Sequence, residues 1–219
     1  VFRNKGAEMK IERRLVSKGS EPRRRLLAAS TLRRDGLSHP MARVLAPQDL
    51  AGTAFLFKQK AQGPDEQFMY LAALRVAKRI VGEQKSARFL GSQFTYGDLE
   101  WGAVEDASYT RLPNEAVGAD PCHVIEAVPS GDKEYSKLTL WIRTRDYTLV
   151  RMKFFDKKRQ LKKVLFVKRV ERIGGRLVAT RLKMKNVQTG ESTLLAVSEV
   201  KLRDDLSADR FSVRELKKQ

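Results

Sequence analysis

Cys122 and His123 are adjacent in the chain, and a thiol beside an imidazole is the pair that nucleophilic catalysis would use. Their spacing argues against it: on a strand, successive side chains point to opposite faces, so neighbours cannot share a proton. His39 stands beside Pro40, where a solvated turn position is expected rather than a base. Asp98 with Glu100, and Glu105 with Asp106, are acid pairs, but among 44 Lys and Arg against 26 Asp and Glu they are expected to be salt-bridged or solvated. One cysteine and two histidines do not make a Cys/His zinc site. Phosphate loops, nucleophile elbows and dinucleotide fingerprints are absent, and Gly91-Ser92 and Gly174-Gly175 match none of them in context. No catalytic residue, cofactor or metal is expected, and the chain reads as a non-enzyme.

The cations carry the stronger signal. A formal charge of +18 points to an anionic partner, which by charge alone is nucleic acid, a membrane surface or anionic lipid. The runs Arg23-Arg24-Arg25, Lys157-Lys158-Arg159 and Lys162-Lys163 resemble phosphate patches by counting. Alternation spreads them over strand edges and outer faces, where they also oppose aggregation. An RNA-binding sheet interleaves exposed aromatics with such cations, whereas Phe154 and Phe166 sit beside aliphatic partners and Trp141 alone shares a face with Lys137 and Arg143. A third cluster, Arg75, Lys78, Arg79, Lys85 and Arg88, flanks an aromatic stretch holding Phe89, Phe94, Tyr96 and Trp101. Positive charge beside an apolar opening suits an amphiphile. Its tails leave water at about 0.8 kcal/mol per CH₂, while Arg pairs with phosphate. Arg75, Lys78, Arg79 and Arg88 are the head-group candidates. A basic nucleic-acid-binding sheet, or an adaptor docking on a transporter without cargo, are the alternatives.

The elements that must position these groups are mostly strands. Apolar and polar residues alternate from Met9 to Val16 and from Arg23 to Arg34, then in shorter stretches at 41–46, 53–58 and 67–71, divided by Pro and Gly. The pattern is clearer beyond residue 137, where Gly174-Gly175 and Thr189-Gly190 mark hairpin turns of a meander. Residues 71–81 fit helical and extended templates equally. Phe89 to Gly102 reads as a loop with a short helix at the mouth of the sheet, a lid formed by Phe89, Phe94, Tyr96 and Trp101. No apolar run approaches the roughly 20 residues of a membrane-crossing helix. The expected architecture is mainly β, as α+β: a large curved antiparallel sheet forming an incomplete barrel, with short helices and loops as a lid, in one domain over residues 1–219. Inward candidates for an apolar cavity are Phe55, Phe57, Phe68, Leu140, Val150, Met152, Phe154 and Phe166. A one-residue slip in register would exchange faces.

Several stretches, in order along nearly the whole chain, resemble the bacterial outer-membrane lipoprotein-sorting family, the LolA-like relatives of the periplasmic carriers LolA and LolB. They are PQDLAGTAFL at 47–56, YLAALR at 70–75 running to Lys78-Arg79-Ile80, FLGSQFTYGDL at 89–99, DPCHVIE at 120–126 and LVRMKFFD at 149–156. The resemblance implies an incomplete antiparallel barrel with a lid and an apolar cavity holding the acyl chains of lipid or lipoprotein. It also implies a location in the periplasm of a Gram-negative bacterium and transfer toward the outer membrane. Expected partners are an inner-membrane lipid transporter of the RND type and, transiently, a membrane; no nucleic acid is expected, and a monomer is. Ala72 stands where such proteins commonly have Pro, and Gly97 where an acid is common. The leader and the first amphipathic helix are expected to be missing from this chain, which would alter access to the cavity. The family pattern fixes neither cargo nor catalytic residues.

Overall fold

The computed structural model describes residues 5–17, 19–100, 107–131 and 133–218; Trp101, Glu105 and Asp106 lie outside them. The alternating stretches form β1 Lys5–Val16, β2 Arg23–Arg34, β3 Leu37–Ala46, β4 Ala54–Lys58, β5 Glu66–Leu71, β6 Val76–Ile80, β7 Ala107–Val117, β8 Asp120–Pro129, β9 Lys137–Arg143, β10 Leu149–Phe155, β11 Leu161–Ile173, β12 Arg176–Asn186 and β13 Ser192–Arg203. All join one antiparallel sheet that does not close into a barrel. Tight turns at Asp35-Gly36 and Gly174-Gly175 use positive φ at both positions, the geometry whose twist suits two-residue hairpins. No helix among the described residues is long and apolar enough to cross a membrane.

Sheet neighbours are also sequence neighbours with one exception: β1 pairs with β13 in the middle of the sheet. The chain therefore runs outward from the centre to one edge at β6, crosses to the far edge at β7, and returns to the centre at β13. Those edges are twelve strand spacings apart, roughly 58 Å on a flat sheet at about 4.8 Å each. The chain leaves one edge after Ile80 and enters the other at Ala107, and the described residues 81–100 lie across a face between them.

One open reading is settled and two expectations are corrected. Residues 71–81, which fitted two templates, form a 3-10 turn at Ala72–Leu74, a left-handed Arg75 (φ 53°) and the edge strand β6; pairing with β5 decides between local preferences that were balanced. His39 and Pro40 lie within β3, not in a turn. Proline is accommodated there because β4 pairs with β3 only at Met41, Ala42 and Arg43. Finally, ladder irregularities between Leu149 and Arg151 in β10, and around Glu199 (φ 51°) in β13, reset which side chains share a face.

Both faces of the β2–β5 arm are covered. On one, the 3-10 turn Ala208–Arg210 and helix α1 Val213–Leu216 place Leu206, Phe211 and Leu216 against Leu32, Leu56 and Tyr70. Arg43 ties α1 down by donating to the carbonyls of Glu215 and Leu216 at 3.2 and 3.0 Å. On the other, residues from the crossing segment pack against Phe55, Phe57 and Met69. A third cluster, Cys122, Val124, Trp141 and Val150, lies on the β8–β10 arm.

Candidate functional site

The crossing segment shows which way the sheet bends. The Gln67 side chain of β5 donates to the Tyr96 carbonyl at 3.1 Å, while Lys163 of β11 pairs with Asp98 at 2.5 Å. β5 and β11 are seven spacings apart in the sheet, roughly 34 Å if it were flat. Tyr96 and Asp98 are two residues apart, at most about 7 Å of backbone. Two strands that far apart can meet one short loop only if the sheet curls around it. The face carrying residues 82–100 is therefore the inner one, and α1 sits outside.

Inside the curl, residues 82–100 form 3-10 turns at Gly82–Ser86, Phe89–Gly91 and Gly97–Leu99. Phe89 meets Phe55 edge-on at 5.1 Å and Tyr96 at 5.6 Å, with Leu90 and Leu99 beside them. The segment is held by polar contacts to strands in both arms. Arg13 of β1 donates to the carbonyls of Phe89 and Leu90 at 3.1 and 2.9 Å, and Arg25 of β2 also donates to Leu90. Burial pulls the Arg13 guanidinium down to about 9, which leaves it a cation at neutral pH. The Gln93 amide donates to the Thr193 hydroxyl at 2.9 Å, and Arg88 pairs with Glu191 at 2.7 Å. Lys163, buried with Asp98, is flanked by Tyr135, whose hydroxyl donates to Asp98 at 2.8 Å. Desolvation first, and then the charges of Asp98 and Glu134, push the Tyr135 phenol upward.

Beyond the crossing segment the inner face is apolar and half-buried. Cross-strand pairing sets Thr193, Met184, Leu165, Met152, Leu140 and Ile125 in one row over six strands. A second row runs Leu195, Leu182 and Val167, with Ile11 opposite Val197 nearby. Leu165, Met152, Leu140, Ile125, Leu195, Leu182, Val167, Val197 and Ile11 all keep partial access to solvent. The result is an open apolar trough, one end of which is plugged by the chain's own aromatic residues.

The eight cavity candidates do not share this face. Phe55, Phe57, Leu140, Met152 and Phe154 are inside, the first two under Phe89 and Tyr96, and Phe154 against Tyr135 at 5.1 Å. Phe68 pairs with Leu56 and so faces outward, toward the α1 side. Val150, displaced by the β10 irregularity, joins Cys122 and Trp141 outside, and Phe166 lies outside against Arg151. Among the lid candidates, Phe89 and Tyr96 pack inward, and the Phe94 carbonyl accepts from the Phe89 amide at 2.8 Å. The head-group cations are dispersed. Arg75 caps a 3-10 turn, Arg79 pairs with Glu66 at 3.2 Å on the outer side, Arg88 is committed to Glu191, and Lys78, opposite Met69, stands on the inner face. Cys122 and His123 point to opposite faces: Cys122 is fully buried and His123 contacts Arg111 at 2.7 Å.

Arg13, Gln67 and Tyr135, which hold the lid, were not among the sequence candidates; Asp98, expected to be salt-bridged or solvated, pairs with Lys163, and Lys163, expected on a strand edge or outer face, is instead buried on the inner one. Part of the signal was present: Arg13 has the parity of Ile11 and Leu15, and Lys163 that of Leu161 and Leu165. A charged residue on an apolar face needs a buried partner.

Comparison with known proteins agrees with this architecture. A domain provisionally assigned as an outer membrane lipoprotein-sorting protein, from Vibrio parahaemolyticus, superposes with a TM-score of 0.92 at 29% identity over 97% of this chain and 92% of that one. A DUF1329 family protein from Desulfovibrio piger gives 0.91 at 24% identity over 96% and 91%. A LolA superfamily protein from Nitrosomonas europaea gives 0.76 at 20% over 96% and 91%. No curated protein matches the sequence. A family model described as an uncharacterized protein matches residues 36–218. The chain, folded as a curled antiparallel sheet around its own edge-to-edge crossing, thus belongs to that family of uncharacterized proteins and has a LolA-like fold.

Proposed function

We propose that this protein is a non-enzymatic periplasmic carrier that holds lipid or lipoprotein acyl chains against the inner face of its sheet. The observation that carries the reading is the half-buried row Leu165, Met152, Leu140 and Ile125 beside the plugged end. Apolar side chains left partly wet on a concave surface gain about 25 cal/mol for each Å² that a guest removes from water. The likeness of fold to a domain assigned to outer membrane lipoprotein sorting supports the same reading. Lys78, the one head-group candidate beside Met69 on the inner face, is assigned to an anionic head group. Handing cargo to or from a lipid exporter in the inner membrane completes the proposed role.

Two measurements test it. Organic extraction of the purified protein followed by mass spectrometry should recover lipid in stoichiometric amount, and a fluorescent fatty acid should bind and be displaced. In Leu165→Glu, a carboxylate enters the middle of the row, and fatty-acid affinity is expected to fall by at least about tenfold, since burying an unpaired charge is strongly unfavourable. A protein that arrives empty, and whose Leu165→Glu variant binds the probe like wild type, would dispose of the carrier reading.

A further inference from the structure

The outer face of the central strands carries a second pattern. Cross-strand pairing aligns Arg24, Arg14, Leu194, Lys183, Phe166, Arg151 and Trp141 in a single row, with four cations and no acid. Over β1 and β11–β13 the same face has a shallow hollow of about 360 Å³, lined by Arg14, Lys168, Arg181, Lys183, Leu194 and the acid Glu12. Glu12 is engaged by Arg14 at 2.5 Å. Lys168, Arg181 and Lys183 make no ion pair among the described residues, and Leu194, 36% exposed, lies between them.

We propose that this face docks the protein on an anionic lipid bilayer, with a head-group phosphate in the hollow between Lys168, Arg181 and Lys183. Charge complementarity selects an anion. The state of the aromatic rings selects a bilayer over single-stranded nucleic acid, which needs free ring faces for stacking. Here Trp141 is 3% exposed beneath Arg151 at 4.7 Å and Lys153 at 5.2 Å, and Phe166 lies under Lys168 at 4.9 Å. What the surface presents is long cationic stems around Leu194, the arrangement suited to a membrane interface. Because this side of the sheet is convex, a plane touches it over its central strands, where the hollow lies. The inference extends the carrier reading by naming the surface to which cargo is brought, but it uses the opposite face, so each can fail alone.

The test is flotation of the full chain with vesicles of phosphatidylcholine, with and without phosphatidylglycerol, at about 100 mM salt. Binding is expected only with phosphatidylglycerol. The triple variant Lys168→Gln, Arg181→Gln, Lys183→Gln should lose about a hundredfold in partitioning, roughly fivefold for each cation, with fatty-acid binding and thermal unfolding unchanged. A triple variant of exposed cations elsewhere, Lys158→Gln, Arg159→Gln, Lys217→Gln, should bind vesicles like wild type. Equal losses in the two triples would overturn the assignment in favour of undirected net charge. Absence of vesicle binding would also overturn it, as would retention of single-stranded DNA under conditions where vesicles float free.

Discussion

Replacing Lys163 with methionine is expected to lower the unfolding free energy by about 3–5 kcal/mol, the usual consequence of leaving one member of a buried ion pair alone. The side chains of Lys163 and Asp98 are 2% and 3% exposed, so in Lys163→Met the carboxylate keeps the Tyr135 hydroxyl and the Thr95 amide but no counter-charge. The double variant Lys163→Met, Asp98→Asn removes both charges and should recover most of the loss, which separates an unpaired charge from a packing defect. Urea unfolding of the four proteins in the cycle measures this directly. Loss of the pair also frees the segment from the β11 arm, so amide exchange over residues 93–99 should quicken in the single variant.

Phe57→Ala should be nearly as damaging, at about 3–5 kcal/mol, whereas Phe166→Ala should lose only about 1–2 kcal/mol. Both phenylalanines lie on strands and both are natural candidates for an apolar cavity. Phe57 is fully buried in the cluster formed by Phe55, Met69 and Tyr96, so its truncation leaves a void between β4 and the lid. Phe166 is half-buried on the outer face, its ring covered by the cations of Arg151 and Lys168. Thermal unfolding of the two variants checks the difference; equal losses would mean that the two faces are not distinguished as described.

Much of the fold was legible because alternation is a local property. Arg23–Arg34 and its turn at Asp35-Gly36 follow directly from period two and from a dipeptide that tolerates positive φ, and the C-terminal hairpins follow in the same way. The lid was legible as an aromatic stretch without alternation. Its attachment was not, because Arg13, Lys163 and Gln67 find partners 29 to 77 residues away, and no local pattern encodes such a distance. The cavity set was half legible. Val150 and Met152 share a parity in the sequence, but the irregularity after Leu149 turns Val150 outward, and Phe68 obeys alternation perfectly while pointing to the face that α1 covers.

The sequence by itself determined that this chain makes many half-buried antiparallel strands and carries a large positive charge. Only the tertiary structure decided which apolar set faces inward, because alternation fixes relative faces within a strand and every bulge resets them. It also decided that residues 82–100 lie inside the sheet. That follows from pairing the first strand with the last, which puts β6 and β7 at opposite edges and obliges the connecting segment to cross between them, drawing the arms into a curl through contacts that no neighbouring residues could specify.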